Sequence, residues 1–294
     1  MPGQDLGIKL QGLLGWLGNY GHLPYKKQQE LLWELGGIEV GLGTLVASNQ
    51  RISAAIKPSV TELEEWLWVF ANPNFCLFRA GDTRSRKEIE DQLGAEYLGI
   101  IISDDFSVYN GYPVAAQQKC QAHLRRHCQR LLKTPGINNK SIGIALTKIV
   151  DEAFKQHRLW RKNNHRQQYL DSVVPLKTQI NLTLSKWSER AGYEAGKLLR
   201  NLKLKADQWW YFLDHPEISP DNNLAERALR LAVTKRKVSG GSRSMARFQD
   251  TANFLSVIQT CRFQHRSVMD FFTQALMAST GVIDLPSLIP QFDT

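Results

Sequence analysis

The sequence predicts a mixed α/β protein in which a few short strands are set among long helices. Three observations predict it. Residues 66–79 hold two apolar runs, Trp66-Leu67-Trp68-Val69-Phe70 and Phe75-Cys76-Leu77-Phe78-Arg79, about the turn Asn72-Pro73-Asn74; that is the pattern of an antiparallel hairpin. Gly99-Ile100-Ile101-Ile102-Ser103-Asp104 is almost wholly apolar and ends in acid, as a buried parallel strand does. Around these runs, 1–57 and about 115–214 repeat their apolar residues at helical spacing.

The elements follow in order. Leu10, Leu13, Leu14 and Leu17 form a helical stripe broken by Gly18-Asn19-Tyr20-Gly21. A second helix covers Lys26 to Leu35, ended by Gly36-Gly37, and a third runs from about Gly43 to Ile56. Helix, glycine turn, helix is the outline of a helix-turn-helix. Its third helix carries Thr44, Ser48, Asn49, Gln50 and Arg51, able either to meet DNA or simply to pack. Pro58-Ser59 opens a short acidic helix over Thr61 to Glu65, with Ser59 as its cap. After the hairpin comes a helix over Ser85 to Leu93, then the apolar strand. From about Ala115 to Asp214 the chain reads as mainly helical, with 161–168 a solvated helix face and Pro175 a punctuation mark. Helices over Asn222 to Leu231 and Arg243 to Cys261 follow, and the tail after Ser279 reads as loose.

Composition bounds the function. The 294 residues are 43% hydrophobic, with 8 Trp and 12 Phe, which excludes disorder over most of the length. No run approaches the ~18 apolar residues of a membrane span, and Met1 to Asp5 lacks the start of a signal peptide. Cys76, Cys120, Cys128 and Cys261 show no disulfide rhythm and suit a reducing cytoplasm. Lys and Arg number 37 against 28 Asp and Glu, a net charge of +9, the balance of a protein with a polyanionic partner or of a merely basic one.

The distribution of charge and acid points to particular residues. Asp104 stands at the C-terminal end of the apolar strand, where open sheets present ligand-binding groups; the other reading makes it a cap for the next turn. Strand alternation points Asp104 inward and its neighbour Asp105 outward. Glu226 lies in the first turn of the helix opened by Asn222-Asn223, where a carboxylate is favoured. From 226 to 247 there are seven basic residues and one acid, with Gly240-Gly241 among them; such density fits a phosphate backbone or a solvated face. A second basic run, 119–133, includes Arg125 and Arg126. Cys120 and His123 have a zinc-like spacing but no convincing second ligand pair.

Gly99-Ile100-Ile101-Ile102-Ser103-Asp104, Cys120-Gln121-Ala122-His123-Leu124-Arg125-Arg126 and Asp221-Asn222-Asn223-Leu224-Ala225-Glu226-Arg227, with Lys235-Arg236-Lys237 and Gly240-Gly241-Ser242, resemble insertion-sequence transposases of family sixty-six over roughly 6 to 280. The resemblance implies an RNase H-like mixed sheet with a large helical insertion at about 115–214, the whole core spanning 58–280. A helical region over 1–57, of possible helix-turn-helix form, precedes it, and a loose tail covers 281–294. It implies DNA cleavage and strand transfer by three acids holding two Mg²⁺ or Mn²⁺ ions. Asp104 is then the second catalytic and metal-holding acid and Glu226 the third. Arg125, Arg126, Arg227, Arg230, Lys235, Arg236, Lys237 and Arg243 then contact DNA, and Cys120, His123 and Arg126 match a family motif that supports the site or contacts DNA. The implied partners are double-stranded DNA, as transposon ends and target, and further copies of the chain on that DNA, without a membrane; the implied place is the cytoplasm, at the nucleoid.

The pattern also breaks. The family places its first acid on an opening strand, in a His-x-Asp-Glu-Thr-like segment ahead of the strand that is Trp66 to Phe70 here. Pro58 to Glu65 offers no such segment; of the candidates Glu62, Glu64 and Glu65, Glu65 abuts the strand, and a group there stands one strand away from the required place. The expectation is a copy shortened at its N-terminus and internally deleted, either impaired as a transposase or acting as an inactive DNA-binding remnant or regulator.

Overall fold

A computed structural model of the chain describes residues 6–56, 66–81, 83–239 and 245–289. They form two compact units, one made of 1–84 with 223–294, the other of Ser85–Asn222. In chain order the first unit begins with α1 (Ile8–Asn19), α2 (Tyr25–Gly36), α3 (Leu42–Ile56), β1 (Trp66–Ala71) and β2 (Cys76–Gly81). The second unit holds α4 (Lys87–Leu93), β3 (Tyr97–Ser103), β4 (Val114–Lys119), α5 (Gln121–Leu131), α6 (Asn139–Asn163), α7 (Arg166–Trp187), α8 (Tyr193–Leu204) and α9 (Ala206–Trp209). The chain then returns to the first unit with α10 (Asn223–Ser239), α11 (Met245–Phe263) and α12 (Val268–Ser279). The fold is mixed α/β, mostly helical, with small sheets. The acidic helix expected over 61–65 and its Ser59 cap lie outside the described residues.

In the first unit, α2 ends as its glycines foretell. Gly37 takes a left-handed φ of 59° and donates its N–H to the Trp33 carbonyl, while Ile38 N–H reaches back to Leu32. Ile52, Ile56, Val257, Ile258, Phe271 and Phe272 make one buried core across α3, α11 and α12. A second cluster seats the hairpin's Phe78 and Ala80 on Ala228 and Leu255. Strands β1 and β2 pair antiparallel, with Val69 opposite Phe78. The outer edge of β2 is sealed by hydroxyls one helical turn apart. Ser256 Oγ accepts the Phe78 N–H at 2.8 Å and donates to its carbonyl at 3.2 Å, and Thr260 does the same for Cys76 at 3.1 and 3.0 Å. Among the described residues β1 pairs with β2 alone.

In the second unit β3 and β4 run parallel, with Ser103 opposite Lys119. This corrects the expectation that helix begins at about 115. Val114-Ala115-Ala116-Gln117-Gln118-Lys119 has little β-propensity of its own, and pairing with β3 overrides it. It also corrects the expected burial of β3, whose isoleucines are half-buried and whose Leu98 is 86% exposed. The helical core gathers Leu146, Ile149, Val173, Leu199, Trp209 and Phe212. The polar stretch 161–168 is exposed as expected and helical except at Asn164 and His165, where Asn164 takes a φ of 53° between α6 and α7, and Pro175, expected to punctuate, lies inside α7.

In the returning part of the first unit, α10 continues beyond Leu231 to Ser239 because Ala232 is buried on its inner face. Beyond α12 the chain is tied at Ser287 and Leu288, whose carbonyls accept from Arg266 and Gln264 at 2.7 Å.

Candidate functional site

Asp104 directly follows β3. Its Oδ1 accepts the Phe106 N–H at 3.0 Å, and its carbonyl accepts from Ser103 Oγ at 2.9 Å, itself held by Gln117 Nε2 at 2.9 Å. The side chain therefore does cap the next turn. It does so with one oxygen only, which leaves Oδ2 of a half-buried carboxylate available as a hard donor.

Asp105, expected to face outward, instead turns to a buried lysine and a half-buried one. Lys119 Nζ stands 2.9 Å from its Oδ1 and Lys205 Nζ 3.8 Å, while Asn201 Nδ2 donates to its Oδ2 at 3.2 Å. Strand alternation stops at Ser103, so it does not govern the two acids beyond.

Glu226 is half-buried in the first turn of α10, in the other unit. Arg227, Arg230, Thr234 and Lys237 are exposed along one face of the same helix, because steps of three and four residues return to the same side. Lys235 sits on another face. Its Nζ donates to Asn19 Oδ1, and burial pulls its pKa down to about 8, opposed by Asp250. Of the expected DNA contacts, then, the structure groups Arg227, Arg230 and Lys237 and turns Lys235 inward. The Arg236 side chain and all of Arg243 lie outside the described residues.

On α5, Arg125 is engaged by Asp151 through two bonds, Nε to Oδ1 at 2.6 Å and a second at 3.2 Å, and that hydrogen bonding raises its pKa. Arg126 is exposed. Cys120 is buried, desolvation pushes its thiol pKa up, and its Sγ receives the Asn222 N–H at 3.5 Å.

The third helix of the N-terminal region is also partly inward. Ser48 is buried, and Asn49 accepts from Asn19 Nδ2 at 3.2 Å and donates to the Tyr25 hydroxyl at 2.8 Å. Gln50 and Arg51 are exposed. Sequence reasoning missed Lys119, since nothing local distinguishes a lysine that ends a strand in the interior from one on the surface.

Among the described residues no helix is long and apolar enough to cross a membrane. An uncharacterized protein of Sinorhizobium fredii, y4qI, is 22% identical over 289 residues, covering 89% of this chain and 51% of its own length. A second from the same organism, y4jO, is 38% identical over 77 residues, 26% of this chain and 24% of that protein. The chain thus spans about half the length of the curated relative it matches over most of its own residues. No solved structure matches. Residues 60–249 match the model of the Transposase IS66 family, and that span includes Asp104, the Cys120–Arg126 segment, Glu226 and α10. With its hairpin, its parallel strand pair and its two acids at element ends inside the matched span, the chain belongs to the IS66 family of transposases.

Proposed function

We propose that this chain is a DNA-binding transposase core that cannot complete cleavage and strand transfer by itself. The observation that carries the reading is the edge of β1. The far edge of the hairpin is sealed by Ser256 and Thr260, whereas β1 has a strand neighbour on one side alone among the described residues. An apolar strand of this kind ordinarily stands beside another. In an RNase H-like core that neighbour is the opening strand with the first acid, and Pro58 to Glu65 contains no Asp.

Asp104 and Glu226 would each serve as a metal-holding acid, and carboxylate oxygen is a fitting donor for Mg²⁺ or Mn²⁺. Such ions, when bound, activate the attacking oxygen and stabilise the leaving oxygen of a phosphodiester. The chain's own residues bind and orient the DNA. Arg227, Arg230 and Lys237 present three cations along one face of α10, beginning one residue after Glu226, so the backbone they grip lies beside that acid. Arg126 adds a contact from α5. Double-stranded DNA, bound by several copies of the chain, is the partner this reading requires.

Filter retention of a DNA duplex across a salt series tests the binding half. Retention falls steeply as salt rises, and Arg227→Gln with Arg230→Gln lowers the slope of log affinity against log salt by ~1 for each phosphate that is no longer neutralised. An unchanged slope in the double variant would remove α10 from the interface.

A further inference from the structure

Two consecutive acids follow β3, and the second of them has buried cationic company. Lys119, the last residue of β4, is fully buried, with Nζ 2.9 Å from Asp105 Oδ1. The approach lacks hydrogen-bond alignment, so the attraction is Coulombic, in a place from which water is excluded. Two residues of α8 and the loop after it close on the same carboxylate. Asn201 donates to its Oδ2 at 3.2 Å, and Lys205, 3.8 Å from Oδ1, also donates to Asn110 Oδ1 at 2.8 Å. Trp209 completes the circuit, its Nε1 donating to Asn201 Oδ1 at 2.7 Å and its ring 5.8 Å from the Lys119 ammonium. Gln118 bonds the Trp209 carbonyl at 3.2 Å and accepts the Phe212 N–H at 2.8 Å. The end of β4, the segment after β3 and the last helices of the second unit are thus locked through one acid.

Packing alone does not call for a charged pair here. Buried ion pairs are commonly no more stable than apolar residues of the same volume, and what they add is a single defined geometry. We propose that Lys119 is a positioning residue for Asp104. It holds the Asp105 carboxylate, and through the backbone that the two acids share it fixes the turn in which Asp104 Oδ1 binds Phe106 N–H. The free oxygen of Asp104 is thereby aimed for a divalent cation. This rests on the reading of Asp104 as a metal-holding acid, and the two claims fail on different variants.

The test uses the full chain with Mn²⁺ alone, following the loss of the free-ion electron paramagnetic resonance signal, alongside hydrogen exchange of the Phe106 amide. Asp104→Asn abolishes an Mn²⁺ site. Lys119→Met weakens that site ~10-fold or more, the range for residues that orient a metal ligand, and speeds exchange at Phe106 while the buried amides of α6 keep their protection. A lysine that served stability only would lower the melting temperature without changing Mn²⁺ affinity well below it and without singling out Phe106. Asn201→Ala, which removes a neutral contact to the same carboxylate, gives a smaller drop of the same sign and carries the test should Lys119→Met fail to fold. Mn²⁺ affinity and Phe106 exchange unchanged in both variants, with binding still abolished in Asp104→Asn, would overturn the positioning claim alone. Binding unchanged in Asp104→Asn would overturn the metal reading, and the positioning claim with it.

Discussion

Lys235 shows how a side chain that reads as surface charge in the sequence can be held inward, with a lowered pKa, in the fold. Burial pulls its pKa down to about 8, while the nearby Asp250 opposes. Between about pH 8 and the ordinary lysine value of ~10.4, the unfolded chain binds a proton that the folded chain does not. Stability therefore rises with pH through that window. At pH 7 both states are protonated and the folded state bears the whole cost of the buried charge, roughly 3 kcal/mol. Lys235→Met is expected to raise the thermal midpoint at pH 7, with an advantage that shrinks as pH passes from about 8 to about 10. Removal of the bond to Asn19 shifts both ends of that curve alike, so circular dichroism melts showing a constant offset across pH would contradict it. Asp104 and Glu226 were legible as candidates because each stands at the end of an element, a position that sequence alone can mark. Asp105, Lys119 and the inward turn of Lys235 were not. Their environments are set by strand register and by helix rotation against partners far away in the chain, and a count of seven basic residues treats all of them as surface.

Helices α5 and α6 approach each other through Gly143. A Cβ there would lie 2.7 Å from the Cys128 carbonyl oxygen, a backbone atom that cannot swing aside. Gly143→Ala should therefore destabilise the chain by about 1–3 kcal/mol, outweighing the ~1 kcal/mol that alanine gains over glycine in a helix; a urea melt measures the balance. The sealed edge of β2 makes a second expectation at this scale. Ser256→Ala leaves the buried Phe78 N–H and carbonyl without the hydroxyl that serves both, at a cost of ~1–3 kcal/mol. A midpoint within error of the natural chain would show that the hydroxyl is dispensable. Helices α1 to α3, the hairpin and β3 were readable because period and turn residues agree there. Strand β4 was not, since an Ala- and Gln-rich stretch favours a helix until β3 is beside it. The continuation of α10 past Leu231 was hidden by a basic run that reads as loop until Ala232 is seen to be buried.

For the molecule as a whole, family membership and function are carried by different observations. The IS66 match covers residues 60–249 and takes in both acids and the basic helix. Among the described residues β1 has one strand neighbour, and the proposal of impaired cleavage rests on that edge. The sequence led to the expectation of a missing segment; the hairpin with one edge sealed and the other without a strand neighbour among the described residues is seen only in the structure. The central claim is DNA binding without DNA cutting. It is tested most directly by incubating the purified chain with DNA carrying its element ends in Mg²⁺ or Mn²⁺ and scoring nicking, strand transfer and retention together, with Asp104→Ala and Glu226→Ala as controls. Salt-sensitive retention with no nick or joined product is the expected result. Cleavage by the natural chain that disappears in both variants would contradict it, and would mean that another carboxylate stands in for the first acid.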